Sequence, residues 1–133
     1  MRILHVISGG MFGGGQRVVA DLIEALPAMV GISCDLCLLK RNHPFFARFS
    51  PYVVPYRGNY RNPWTAISAA HKLAKLIQEL RPDIVHSHGF DAELIAALAC
   101  HKCRVPHVSH IQDTPVWTSS QRVKHIVRRT ITR

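Results

Sequence analysis

An unbroken apolar segment, Ile3-Leu4-His5-Val6-Ile7, empties into a loop holding five of the chain's eight glycines, and that loop leads straight into a helical pattern. The loop reads Ser8-Gly9-Gly10-Met11-Phe12-Gly13-Gly14-Gly15. A strand that ends in glycines and restarts as a helix leaves backbone N–H groups unobstructed at the positive end of the helix dipole. Phosphate binds readily at such a place. The same order also dictates a fold: a strand followed at once by a helix must pack that helix on a sheet.

The rest of the chain repeats the alternation. Strand one is expected over Arg2 to Ser8, and helix one from about Gly15 to Leu26, with Val18, Val19, Leu22, Ile23 and Leu26 on its inner face. Pro27 stops that helix, and Ile32 to Leu39 is a near-continuous apolar strand of the buried parallel kind. His43 to Phe49 suggests a short helical turn, and Tyr52-Val53-Val54-Pro55 a short edge strand. Asn62-Pro63 is a helix start, with Ile67, Ala70, Ala74, Ile77 and Leu80 facing inward before Arg81-Pro82. Strand four is Asp83 to His88. Asp91 then caps a helix that buries Leu94, Ile95, Leu98 and Ala99. Val105 to Ile111 is strand five, and Ser119 or Ser120 opens a last helix. Strands and helices in such succession, with short links, imply right-handed parallel crossovers. The fold class is α/β, a Rossmann-like doubly wound parallel sheet of about five strands.

At 133 residues and 47% apolar content the chain is one domain with a real core. No apolar run reaches the roughly 20 residues that span a bilayer, and the first is too short for a secretory leader. A cytoplasmic location follows, at most peripheral to the inner face of the membrane. The formal charge of +9 is uneven: no acid lies between Asp35 and Glu79, and none follows Asp113. Such a field favours anionic partners. The aromatics Phe45, Phe46, Phe49, Tyr52, Tyr56 and Tyr60 read as packing under a loop, which leaves nucleic acid with charge alone in its favour. On the last helix Val123, Ile126, Val127, Thr130 and Ile131 share one face, with basic residues on the other. That pattern suits either packing on the sheet or an anionic membrane surface.

The cysteines fall as Cys34-x-x-Cys37 and Cys100-x-x-Cys103. Residues three apart on a strand point to opposite faces, so the first pair cannot readily grip one ion. The second pair ends a helix, with Cys103 expected in the following turn. Separately buried thiols are the reading.

The glycine loop is not a dinucleotide fingerprint. Counting from Gly10, the second glycine place is Phe12; counting from Gly13, the third is Val18; and Lys40-Arg41 replace the acid expected after strand two. Nor does a Gly-Lys-Ser/Thr sequence follow it. At the carboxyl edge of the sheet, His86-Ser87-His88-Gly89 and His110-Ile111-Gln112-Asp113 end strands four and five, where open α/β sheets bind ligands. His86 and His88 share a strand face, as do His110 and Gln112. A metal held by His86, His88, His110 and Asp113 is chemically conceivable, but paired histidines on facing strands more often hydrogen-bond, and no metal is assigned. His5, His43, His71, His101, His107 and His125 follow no pattern.

Together these residues resemble the N-terminal domain of family 4 glycosyltransferases, retaining sugar-nucleotide enzymes of the GT-B fold. Ile3-Leu4-His5-Val6-Ile7 with Gly13-Gly14-Gly15-Gln16-Arg17-Val18-Val19 is similar to the family's opening strand and its Gly-Gly-Ala-Glu-Arg stretch. Arg81-Pro82-Asp83-Ile84-Val85-His86-Ser87-His88-Gly89 resembles its Pro-Asp-x-Val-His-x-His segment, the most specific of the three. Val105 to Asp113 resembles the strand that ends in His-Asp. The resemblance implies an acceptor-side domain whose partner domain carries a nucleotide diphosphate sugar, with transfer to a hydroxyl acceptor in the cleft between them. It implies no further cofactor. It gives Gly13, Gly14, Gln16, Arg17, His86, His88 and Asp113 substrate- or diphosphate-facing places, and puts His110 and Gln112 beside the reacting sugar. Gln112 stands where the family commonly has histidine, a duty His110 takes over in part; Gln16 replaces the frequent glutamate and Gly15 the usual alanine. The expected domain is residues 1–133, an incomplete GT-B N-terminal domain cut before its last strands. A separate donor-binding domain is then needed for activity. The alternative reading is a non-catalytic module of the same fold that binds anions or a membrane surface.

Overall fold

The computed structural model describes residues 1–8, 13–40, 44–56 and 62–111. The elements are β1 (Arg2–Ile7), α1 (Gly14–Ala25), β2 (Ser33–Leu38), β3 (Tyr52–Val53), α2 (Pro63–Leu80), β4 (Ile84–His88), α3 (Phe90–Cys103) and β5 (His107–His110). Short 3-10 turns at Leu26–Ala28 and Pro44–Phe49 complete the order. All strand pairs are parallel, in the sheet order β3-β2-β1-β4-β5. The order reverses between β1 and β4, so this is the doubly wound, Rossmann-like α/β sheet expected, with β3 at an edge.

The strands alternate between two different cores. Leu4, Val6, Cys37, Leu39 and Val85 face a large cluster built with α2 and α3, including Leu73, Ile77, Ile95, Ala96 and Ala99. Each fully buried Leu or Ile there contributes about 1.5–3 kcal/mol. Ile7, Leu36 and Leu38 face a smaller cluster with Val19 of α1 and Phe46 of the 3-10 turn. Arg2 closes the amino edge: its Nε donates to Asp35 Oδ2 at 2.6 Å and its Nη1 to the Leu80 carbonyl at 2.7 Å.

Asn62 caps α2 as expected, its Oδ1 accepting from the Trp64 N–H at 3.1 Å. Some expectations need correction. Gly89, not Asp91, is the N-cap of α3, and Asp91 lies in the first turn. Cys103 is the last residue of α3 rather than part of the turn. The inner faces of the helices are carried by smaller residues than hydropathy suggests: α2 buries Ala69, Ala70, Leu73, Ala74 and Ile77, and α3 buries Ala92, Ile95, Ala96, Ala99 and Cys100. Alanines let these two helices and the sheet approach closely, which pushes Ile67 and Leu98 to the outside; Val18 of α1 is likewise exposed. Phe46 and Tyr56 are buried packing residues as read, whereas Tyr52 is partly exposed. The last helix, and with it the membrane-surface pattern, lies outside the described residues. Among those described, no helix is long and apolar enough to cross a membrane.

Candidate functional site

The candidate residues collect at the carboxyl edge of the sheet because the topology puts three strand ends there side by side. Ile7, His88 and His110 occupy neighbouring register positions on β1, β4 and β5, and His5, His86 and Val108 form the row below. With side chains alternating, His5, His86, His88 and His110 lie on one face of the sheet, the face opposite α2 and α3. Ring centroids are 4.1 Å apart for His86 and His88, 5.3 Å for His5 and His86, 5.4 Å for His5 and His88, and 5.5 Å for His88 and His110. The site therefore contains His5, to which sequence pattern assigned no role.

His5 and His88 are buried, whereas His86 and His110 are half-buried. His5 Nδ1 and His88 Nε2 are 3.2 Å apart and share a hydrogen bond. Burial, reinforced by the neighbouring His86 charge, pulls His5 down to about 4. Burial, then the charges of His86, His5 and His110, pulls His88 down to about 3. His86 is lowered for the same reason, burial first. The histidines at this edge whose shifts are resolved are thus neutral imidazoles at pH 7, able to donate one hydrogen bond or offer one lone pair each.

Beside this row α1 begins. Gly13 is its N-cap in an extended conformation, φ −157° and ψ −171°, which any residue adopts. No side chain caps the helix and its first turn holds no acid. Its opening N–H groups have no intrahelical partner, as at every helix start. Among the described residues, a Cβ at Gly14 would meet nothing within 4 Å, and one at Gly13 only the flexible end of Gln16. Gln16 turns back, its Nε2 donating to the Ser8 carbonyl at 3.3 Å and clasping the end of β1. Arg17 lies on the exposed side of α1, paired with Asp21 at 3.1 Å. Gln112 and Asp113 lie outside the described residues.

Other chemistry is accounted for structurally. Ser87 Oγ and His107 Nε2 are 2.8 Å apart, and the Glu93 charge acts on His107. The set has the composition of a serine-hydrolase triad, but Ser87 has no exposed surface, so substrate cannot reach it and the contact ties β4 to β5. Cys34 and Cys37 face opposite sides of β2, and all four thiols are free. Burial pushes Cys37 and Cys100 up to about 12, so neither is an active nucleophile. Some of the basic side chains are engaged: Lys40 pairs with Asp91 at 3.6 Å, and Arg48 with Glu24 at 2.6 Å while lying over the Phe45 and Phe49 rings.

Comparison with known proteins bears on the family and the fold. The family model of Glycosyltransferase Family 4 matches residues 12–133. No curated protein matches the chain in sequence. Among solved structures, the chain is similar to a UDP-GlcNAc 2-epimerase from Neisseria meningitidis bound to UDP-GlcNAc, with a TM-score of 0.71 and 16% identity over 99% of this chain and 38% of that one. It is similar to a glycosyltransferase from Rickettsia africae at a TM-score of 0.71 and 17% identity, over 93% of this chain and 33% of that one. MurG from Acinetobacter baumannii gives a TM-score of 0.67 and 14% identity, over 94% of this chain and 39% of that one. At such identities the likeness is one of fold, and the chain spans little more than a third of the length of these proteins.

Proposed function

The chain belongs to Glycosyltransferase Family 4, and on that premise we propose that it forms the acceptor-side half of a retaining glycosyltransferase. The complete enzyme moves a sugar from a nucleotide diphosphate sugar to a hydroxyl acceptor in polysaccharide or glycolipid synthesis. The observation that carries the proposal is the start of α1. Among the described residues, its two leading glycines are required neither by backbone conformation nor by packing, and no side chain caps the helix N-terminus at which they stand beside the histidine row. Glycine there leaves room for a diphosphate to approach the helix N–H groups. The Neisseria neighbour, bound to UDP-GlcNAc, shows the fold combined with such a ligand.

In this proposal Gly13 and Gly14 face the diphosphate, and Gln16 holds the loop to β1. Arg17 adds positive charge near the helix start. His86 and His110, half-exposed at the strand ends, present hydrogen-bonding nitrogens to the reacting sugar; the resemblance gives Gln112 and Asp113, outside the described residues, a share of that role. His88, buried behind them, positions His86 and His110. Stabilising a departing diphosphate needs preorganised groups on both sides of it. Catalysis therefore requires a donor-binding domain in addition to these residues, and the chain alone is inactive. The test is to assay UDP release and sugar transfer by the chain with and without a donor-binding domain supplied in trans or by fusion. Transfer only with that domain is the expected result; robust transfer by the chain alone overturns the proposal. The alternative, a membrane- or anion-binding module, depends on residues 112–133, and salt-sensitive flotation with anionic liposomes that survives loss of Ser119 to Arg133 would remove its basis.

A further inference from the structure

We propose that His5, His86 and His88 form a binding site for one divalent transition-metal cation, with Zn2+ the best fit. The proposal stands independently of the transferase reading. Three observations carry it. First, the strand order brings the three side chains together: His5 and His86 are register partners on adjacent parallel strands, and His88 follows two residues on, on the same face. Each offers a ring nitrogen, and these atoms all lie within 4.8 Å of one another.

Second, the spacing is close to that of a coordination sphere. With Zn–N bonds near 2.0–2.1 Å, the edge of a tetrahedron is roughly 3.3 Å. His5 Nδ1 and His88 Nε2 are 3.2 Å apart. Small rotations of His86, the half-exposed member, close the third edge. His110 borders the group, 5.5 Å from the His88 ring and 6.0 Å from the His86 ring, but is not one of the three whose ligand atoms converge.

Third, packing does not explain the pair at the bottom of the site. His5 Nε2 and His88 Nδ1 are buried without a hydrogen-bond partner among the described residues. Two buried imidazoles with half their polar atoms unsatisfied cost stability rather than supply it. A cation held by the converging His5 Nδ1 and His88 Nε2 leaves the two outer nitrogens as N–H groups, and its bonds to the converging lone pairs are what offset that cost. The donor set also fixes the class of ion: three imidazoles and no oxygen suit Zn2+, Cu2+, Ni2+ or Fe2+ and not Mg2+ or Ca2+. Three protein ligands with His86 at the open side leave the fourth position to water or a bound anion, the arrangement of reactive rather than closed structural sites.

The chain, stripped with EDTA and dialysed, is titrated with ZnCl2 by calorimetry, and the metal bound after gel filtration is counted by mass spectrometry. One equivalent at micromolar affinity or tighter is expected. Co2+ taken up in its place is expected to show the intense visible bands of a tetrahedral site. His86→Gln, at a half-exposed position that the fold tolerates, should weaken binding at least about tenfold, one lost ligand contributing well over 1.4 kcal/mol. His101→Gln, on the exposed end of α3, should leave binding unchanged. Far-UV circular dichroism confirms that each variant is folded. Failure of the folded chain to take up a stoichiometric cation overturns the proposal, and so does uptake that survives His86→Gln.

Discussion

At Gly14, the first residue of α1, an added Cβ would meet no atom within 4 Å, and the helical backbone there is one that alanine adopts more readily than glycine. Gly14→Ala is therefore expected to leave the fold intact, with a stability change within about 0.5 kcal/mol, neutral or favourable. In an assay reconstituted with a donor domain the same methyl group should obstruct the diphosphate and raise the donor KM about tenfold, a loss near 1.4 kcal/mol. Thermal unfolding and donor kinetics on one variant separate the two effects; an unchanged KM removes the glycines from the site. The buried histidines make a second prediction. His5 and His88 are held at about 4 and about 3 in the fold, below the 6.5 of the unfolded chain. Between those values the unfolded state binds more protons, so stability rises with pH and is lost as pH falls below about 6.5. Each histidine contributes up to about 1.4 kcal/mol per pH unit in that window. Urea midpoints of the metal-free chain between about pH 6.5 and 5.5, above the main carboxylate titrations, should fall, and more shallowly in His5→Gln. Equal slopes in the two proteins would count against neutral buried imidazoles.

At the scale of elements, the junction of β4 and α3 is the most constrained turn. Gly89 has φ 82° and ψ 167°, a region open essentially to glycine alone, and its N–H donates to the His110 carbonyl at 3.1 Å. This one residue ends β4 at His88, caps α3 and tethers the end of β5. Because a Cβ there would meet nothing within 4 Å, the cost of Gly89→Ala is conformational. It should destabilise by about 1–3 kcal/mol, read as a lowered urea midpoint, and should disturb the His88–His110 spacing. A substitution without effect would mean that the turn relaxes freely. The elements themselves were legible because their signals are local: continuous apolar strands, Asn62-Pro63 opening α2, and Pro27 and Pro82 marking breaks. The inner face of α3 was not, since Leu94 and Leu98 outrank alanine in hydropathy while close helix packing selects Ala92, Ala96 and Ala99. The site was half legible for a similar reason. His86, His88 and His110 advertise themselves by spacing and strand-end position, but His5 joins them only through the neighbouring of β1 and β4. The doubly wound order contains that signal: β1 sits beside β4, and parity puts residue 5 on the face of residue 86.

Across the whole molecule the two faces of the sheet are built unequally. Among the described residues, one face carries α2 and α3 over an apolar cluster. The other has an apolar cluster over β2 and β1 but changes to imidazoles over β1, β4 and β5. An apolar layer there would fold more securely, because it would leave no buried ring nitrogen unsatisfied. The half-polar face is thus better explained by ligand binding than by folding, in keeping with the stability that functional sites commonly forgo. The prediction is that His5→Leu/His88→Leu, which replaces the pair by apolar groups of similar size, is as stable as the metal-free parent at pH 7 or gains about 1–2 kcal/mol. Its midpoint should also fall less steeply with pH below about 6.5, since the two most strongly lowered histidines are gone while His86 and His107 remain. It should no longer bind Zn2+. Urea unfolding at two pH values with EDTA present reads both stability effects in one variant. A double variant less stable than the parent by several kcal/mol would show that the imidazoles hold the face together, and would move them from ligand binding to architecture.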